Sequence, residues 1–146
     1  MKPLALAVGF TLGVFGGTAA AAAESPVTVR PENLLWFSAP NNPAVEGAWV
    51  VGSEQKAGAY ILRVRLAAGG RIAPHTHPDE RNSTVLSGTI YVGFGEVFDE
   101  SKLVAVPPGG VYVAPANVPH YVWAKNGEAM YQEAGVGPTA TVPVKR

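Results

Sequence analysis

Residues 69–94 read GGRIAPHTHPDERNSTVLSGTIYVGF, and this stretch decides the fold. Its last six residues predict a β-strand in which Ile90, Val92 and Phe94 lie on one face, because successive side chains of a strand point to opposite faces. The residues that precede this strand, 69–88, begin and end with glycine, and these glycines indicate turns. A strand of this kind between turn signals is typical of antiparallel β proteins.

Short segments of the same character fill most of the chain. The segment at 60–66, YILRVRL, places Leu62, Val64 and Leu66 on one face. Further strand candidates are 48–51, 111–114, 121–123 and 129–132. Only 98–103 suggests a short helical turn, and the terminal stretches 24–31 and 138–146 contain extended segments that could pair at a sheet edge or with a partner. We therefore predict an all-β sandwich or barrel.

The three histidines of the chain have a spacing that suits a metal ion. His75 and His77 are two residues apart, so on a strand both imidazoles point to the same face. His120 lies at the start of a separate strand candidate and can approach the pair from a neighbouring strand. The chain has no cysteine, so thiolate ligands and disulfides are excluded, and any metal site uses nitrogen and oxygen.

Two motifs in residues 69–121 resemble those of the cupin superfamily. Gly69, five residues, His75-Thr76-His77 and later Gly88 match the first cupin motif. Gly109, Pro115, Val118-Pro119 and His120 match most of the second motif. The resemblance implies a single-domain cupin-like β-barrel, a jelly roll also called a double-stranded β-helix. It also implies one divalent transition-metal ion (Fe, Zn, Mn or Ni) bound by His75, His77 and His120.

The chain departs from the cupin pattern at a position that matters for the metal. Cupins usually carry a glutamate seven residues before the glycine that closes the first motif, and here that position is Arg81. A guanidinium has no lone pair to give to a metal. We expect Arg81 to form a surface ion pair with Asp79 or Glu80, the alternative being that it orients a substrate carboxylate. Glu80 remains a possible fourth ligand if the chain bulges there.

Other residues complete the list of candidates. Asn117 replaces the usual glycine before the third histidine, and Ala124 replaces a frequent asparagine. Tyr121 and Gln132 are the polar side chains that we expect in a pocket wall near the ion. Three imidazoles leave the double charge of the ion intact, so an anionic small-molecule ligand is expected.

The first 23 residues have the pattern of a secretory signal peptide. Lys2 is followed by an apolar run and by Ala21-Ala22-Ala23, after which Glu24 begins the predicted mature domain, residues 24–146. We expect an exported protein, periplasmic or secreted, with no membrane contact after cleavage. The mature chain has ten basic and eleven acidic residues, which does not suit binding to nucleic acid. A homodimer is the expected state.

These expectations leave two functions open. A three-histidine site suits metal-dependent chemistry on a small molecule, of the dioxygenase or isomerase kind. The alternative is a metal- or ligand-binding, sensing cupin without catalysis, since no general base is evident in the sequence.

Overall fold

A computed structural model gives the structure of the protein and describes residues 26–145. The predicted signal peptide, residues 1–23, lies outside this described part. Within residues 26–145, eleven strands and two short 3-10 turns make up the regular structure. The strands are β1 (Phe37–Ala39), β2 (Asn42–Val51), β3 (Gly58–Leu66), β4 (Arg71–Thr76), β5 (Arg81–Ser87), β6 (Ile90–Phe94), β7 (Val104–Val106), β8 (Val111–Ala114), β9 (His120–Trp123), β10 (Ala129–Gly137) and β11 (Val142–Pro143). The 3-10 turns are Pro31–Asn33 and Glu100–Lys102.

The strands form two antiparallel sheets. One sheet has six strands in the order β1-β2-β3-β10-β5-β8, and the other has five in the order β11-β4-β9-β6-β7. The two sheets pack face to face, with apolar side chains from both in one core. This is the jelly-roll arrangement, so the predicted all-β fold class is confirmed. Between residues 26 and 145, the chain forms no helix with the length and hydropathy to cross a membrane.

The core follows from the alternation seen in the sequence. Leu62, Val64 and Leu66 are buried on the inner face of β3, as predicted, while Arg63 and Arg65 between them are only partly buried. Burying each apolar side chain of this size contributes about 1.5–3 kcal/mol to stability. The remaining core members are Val45, Tyr60, Val85, Ile90, Val92, Val106, Tyr112, Ala114, Val122, Ala124, Ala129 and Tyr131.

The segment from Gly95 to Leu103 covers the outer face of the five-stranded sheet. Tyr121 is completely buried beneath it, and its ring centroid lies 4.7 Å from that of Phe98. The Tyr121 hydroxyl donates a hydrogen bond of 3.0 Å to the backbone oxygen of Asp99. The helical turn expected at 98–103 is confirmed as the 3-10 turn at Glu100–Lys102, which Asp99 caps by accepting from the Ser101 N–H.

The C-terminal extended segment pairs at a sheet edge, which is one of the two expected outcomes. β11 runs antiparallel to β4, with Val142 opposite Thr76 and Pro143 opposite His75. The five-stranded sheet therefore gains an edge strand next to β4, which carries His75 and ends just before His77.

Gly88 and Gly109 provide a matched test of turn packing. Both have positive φ, +67° and +83°, but a Cβ at Gly88 would overlap the Glu128 carbonyl oxygen, while one at Gly109 meets nothing within 4 Å. We expect Gly109→Ala to cost about 1–2 kcal/mol through backbone strain alone. Gly88→Ala should cost about 1–3 kcal/mol more, as overpacking does. Urea unfolding of the two variants measures the difference, and equal losses would contradict this account of the turn.

Candidate metal centre

Pairing between β4 and β9 brings the three histidines together. His75 on β4 lies directly opposite His120 on β9, and an irregularity in the register lies between Ile72 and His75. His77 follows the end of β4, where its backbone oxygen accepts a 2.7 Å hydrogen bond from the Asn117 N–H. Asn117 has φ +60°, a left-handed conformation that asparagine adopts more readily than most residues. The replacement of glycine at this position therefore preserves the turn.

The imidazoles form a tight, buried group. The ring centroids of His75 and His120 are 4.3 Å apart, those of His75 and His77 are 4.8 Å apart, and those of His77 and His120 are 5.2 Å apart. One candidate ligand nitrogen from each lies within 4.8 Å of the other two. The three side chains are only 5%, 2% and 2% exposed for His75, His77 and His120. Protein-bound metals hold imidazole nitrogens at about 2.0–2.1 Å, so two nitrogens on one ion lie at most about 4.2 Å apart. Small shifts of these side chains would therefore let one ion reach all three.

Backbone carbonyls fix the protonation of each ring. The Nδ1 atoms of His75, His77 and His120 lie 2.8, 2.8 and 3.2 Å from the backbone oxygens of Ala73, Ala140 and Val118. A carbonyl oxygen only accepts, so each neutral ring carries its proton on Nδ1 and keeps a lone pair on Nε2. The buried Nε2 of His77 has no partner within residues 26–145. This donor set fits a metal ion, because ligating histidines usually donate their second ring N–H in this way.

Burial keeps the three rings neutral. It lowers the pKa of His75 to about 4 and the pKa of His77 to about 3, with further lowering by His120 and Arg81 respectively. Burial also lowers the pKa of His120, and the charge of Arg81 acts in the same direction. The imidazoles are therefore unprotonated on Nε2 at neutral pH, which is the form that binds a metal.

Arg81 lies inside the fold rather than at the surface. It is 4% exposed, its Nη1 lies 2.6 Å from Oε2 of Glu133, and its Nη2 donates to Oγ1 of Thr139 at 2.9 Å. The expected surface pair with Asp79 or Glu80 is wrong in its location, although Asp79 Oδ1 does lie 3.8 Å from the Arg81 Nε. Arg81 begins β5 on its inner face, so its charge requires buried partners. Burial lowers the pKa of Arg81, but the charges of Glu133 and Asp79 more than offset this.

The accessory candidates do not join the histidines. Glu80 is exposed and lies outside the group of possible ligands found among residues 26–145. Tyr121 is the strand neighbour of His120, so it points to the opposite face, toward Phe98. Gln132 accepts a 3.2 Å hydrogen bond from Arg63, and it alternates with the inward-facing Tyr131 and Glu133.

Sequence reasoning missed three contributors to this site: Glu133, Thr139 and the carbonyl of Ala140. The strand candidate at 129–132 ended one residue before Glu133, whereas β10 continues to Gly137. Extending the alternation from Ala129 through Tyr131 would have placed Glu133 on the inner face. No local pattern marks Thr139 or Ala140, whose contacts are with residues about 60 positions away.

Comparisons with known proteins agree with the fold, and the region matched by the family model includes the three histidines. The family model described as "Cupin domain" matches residues 62–131. Germin-like protein 5-1 from Oryza sativa subsp. japonica is 34% identical over 74 residues, which are 49% of this chain and 32% of that protein. The matched region thus spans about a third of the length of this curated relative.

Solved structures show the same architecture at low sequence identity. The polyketide cyclase RemF from Streptomyces resistomycificus has a TM-score of 0.70 at 14% identity, covering 84% of this chain and 87% of that one. An RmlC-like cupin from Shewanella frigidimarina has a TM-score of 0.61 at 12% identity, covering 77% of this chain and 91% of that one. With both cupin motifs placed on this jelly roll, the chain belongs to the cupin superfamily and has the conserved barrel of the type-2 kind.

Proposed function

We propose that this cupin binds one divalent transition-metal ion through Nε2 of His75, His77 and His120 and uses it to act on a small molecule. One observation carries the proposal. Three buried, neutral imidazoles converge while each donates its Nδ1–H to a backbone carbonyl, which leaves the Nε2 lone pairs free.

The ligand set supports an anionic small molecule as the partner of the ion. The three-residue group contains no carboxylate, so the ligands leave the double charge of the ion uncompensated. The guanidinium of Arg81 is close enough to lower the pKa of all three histidines, so its positive charge also acts on this region. Glu133 and Asp79 offset part of that charge. A ligand that brings negative charge is therefore favoured over a neutral one.

Phe94 gives the site a partly open side. Its ring centroid lies 6.2 Å from that of His120, and the side chain is 42% exposed. It is the last residue of β6 and lies opposite His120 in the sheet. We propose that a small molecule approaches the histidines along this aromatic edge.

The chemistry that we favour is of the dioxygenase or isomerase kind. An ion such as Fe, Zn, Mn or Ni supplies Lewis acidity or redox activity when bound. The chain itself holds the ligand nitrogens in place, excludes water through burial, and contributes the charge of Arg81. The polyketide cyclase with the same fold is an enzyme that acts on a small molecule, which supports this class without selecting a substrate.

A specific observation favours the second candidate, a cupin that binds a metal or ligand without catalysis. Neither the sequence candidates Glu80 and Tyr121 nor the buried Glu133 is available as a general base beside the histidines. Glu80 is exposed, Tyr121 faces the opposite side of its sheet, and Glu133 is paired with Arg81. A binding or sensing site does not need such a base.

We further propose export and dimer formation. The pattern of residues 1–23 supports secretion to the periplasm or medium, with residues 24–146 as the mature cupin domain. A homodimer is supported by apolar side chains left exposed on the outer face of the six-stranded sheet, among them Leu86, Val111, Val113 and Val136.

Metal content tests the proposed function directly. Protein comprising residues 24–146, reconstituted with Zn²⁺ or Fe²⁺ and dialysed, should retain about one equivalent per chain by elemental analysis, because it has one three-histidine site. His77→Ala should weaken binding by more than about 100-fold, since losing a ligand exceeds the 10–100-fold effect of losing an outer hydrogen-bond partner. Glu80→Gln is the matched control and should keep the full equivalent. Absence of metal from the wild-type protein after reconstitution would overturn the proposal.

Oxygen consumption separates the enzyme from the binder. The Fe²⁺-loaded protein, incubated with a panel of small carboxylic acids, enediols and phenols, should consume oxygen or convert one class if it is a dioxygenase or isomerase. His120→Ala, which removes a ligand, should abolish that turnover. If ligand-induced spectral shifts of the Co²⁺-loaded protein appear without turnover across the panel, the binding function is the correct one.

A further inference from the structure

Residues 138–144, here named the C-terminal strap, run past the histidines and are held by backbone hydrogen bonds at several positions. The backbone N–H of Thr139 donates to the backbone oxygen of Glu54 at 2.8 Å, and the backbone N–H of Val144 donates to the backbone oxygen of Pro74 at 3.0 Å. β11, within the strap, pairs with the β4 residues His75 and Thr76. The strap is therefore held along the strand that leads into the histidine pair.

The ring of His77 is oriented by the strap, whereas the rings of the other two histidines are not. His75 and His120 donate to carbonyls two residues earlier in their own segments, those of Ala73 and Val118. His77 donates to the Ala140 carbonyl, 63 residues away. The orientation of two imidazoles is thus fixed locally, and the third is fixed by a remote segment.

Arg81 and Asp79 anchor the strap through one buried side chain. Thr139 is 7% exposed, and its Oγ1 accepts from Nη2 of Arg81 and donates to Oδ1 of Asp79. Asp79 also accepts a 2.6 Å hydrogen bond from the Tyr60 hydroxyl. The residue after Thr139 is Ala140, so these bonds hold the carbonyl that His77 uses.

We propose that the strap is a positioning element of the metal centre, in which Thr139, held by Arg81 and Asp79, sets the Ala140 carbonyl that orients His77. The inference rests on the proposed metal function and extends it. Arg81 occupies the position at which a cupin usually has an acidic metal ligand. Here its side chain holds the strap and so helps to orient His77. The strap lies beyond residue 131, where the family-model match ends, so the match does not account for it.

A coupling between metal and strap follows from this arrangement. If the docked strap orients His77 for the ion, the ion binds the docked state more tightly than the undocked state. Bound metal must then stabilise docking by the same factor by which docking strengthens metal binding. Partners that orient ligating histidines typically affect metal affinity by about 10–100-fold.

Three variants test the proposal. Thr139→Val removes both side-chain hydrogen bonds with little change in volume, and it should weaken Zn²⁺ or Co²⁺ binding by about tenfold. Thr139→Ser keeps the hydroxyl and should restore wild-type affinity. Thr141→Val makes the same kind of change at an exposed strap position and should have no effect. Affinities are measured by competition with a chromophoric chelator.

Two further measurements do not require bound metal. In the metal-free Thr139→Val protein, the Nδ1–H resonance of His77 should exchange faster with water, while those of His75 and His120 stay as in the wild type. Hydrogen exchange at the Thr139 and Val144 amides should be slower in the Zn²⁺-loaded wild type than in the metal-free protein. This protection should shrink in Thr139→Val.

The outcomes separate the two proposals. If the wild type binds no metal, the proposed function fails, and the His77 resonance still decides whether the strap orients that ring. If the wild type binds metal and Thr139→Val binds it equally well, with unchanged His77 exchange, the strap inference is overturned and the metal function stands. If Thr139→Val loses affinity and Thr139→Ser does not regain it, the effect is general loosening of the fold and the inference is also overturned.

Discussion

The proposed metal centre depends on the antiparallel pairing of β4 with β9. Because His75 lies directly opposite His120, two imidazoles from distant parts of the sequence are neighbours before any side chain is adjusted. A slip of either strand by one residue would turn its imidazole to the other face, away from its partner, and destroy the site. The apolar inner faces resist such a slip, since Ile72 and Val122 pair in the same ladder and Val122 is fully buried. The core and the site thus depend on the same pair of strands, with the register irregularity between Ile72 and His75 lying between the two pairs.

The opposite sheet carries the charged part of the interior. The buried Arg81 and Glu133 and the partly buried Asp79 form a group in which opposite charges lie beside one another. Hydroxyls of Tyr60 and Thr139 add hydrogen bonds to Asp79 and Arg81. Removing one partner of such a group typically costs about 3–5 kcal/mol, because it leaves a buried charge without compensation. The substitution of an acidic ligand by Arg81 therefore requires the other residues of this group.

The sequence predicts the fold class and the three histidines because both follow from short-range rules. The two-residue strand period places His75 and His77 together, and the two cupin motifs place His120 beside them. Alternation next to His120 also implies that Tyr121 faces away from the histidines. The expectation that Tyr121 lines the pocket wall rests on its polar hydroxyl and does not use this alternation. The environment of Arg81 could not be predicted in the same way. Its main partner, Glu133, is 52 positions distant and belongs to another strand, so only the assembled sheet order brings them together.

The strap has a consequence for the order of events during biosynthesis. His77 emerges from the ribosome, or from a translocation channel, 63 residues before the carbonyl that orients it. His75 and His120 have their acceptors two residues earlier in the chain, so those rings find their partners as soon as their own strands form. A contact of long sequence separation also carries a larger loop-closure cost than a local one. A growing chain that has not yet reached residue 140 therefore already holds the acceptors of His75 and His120 but lacks the acceptor of His77.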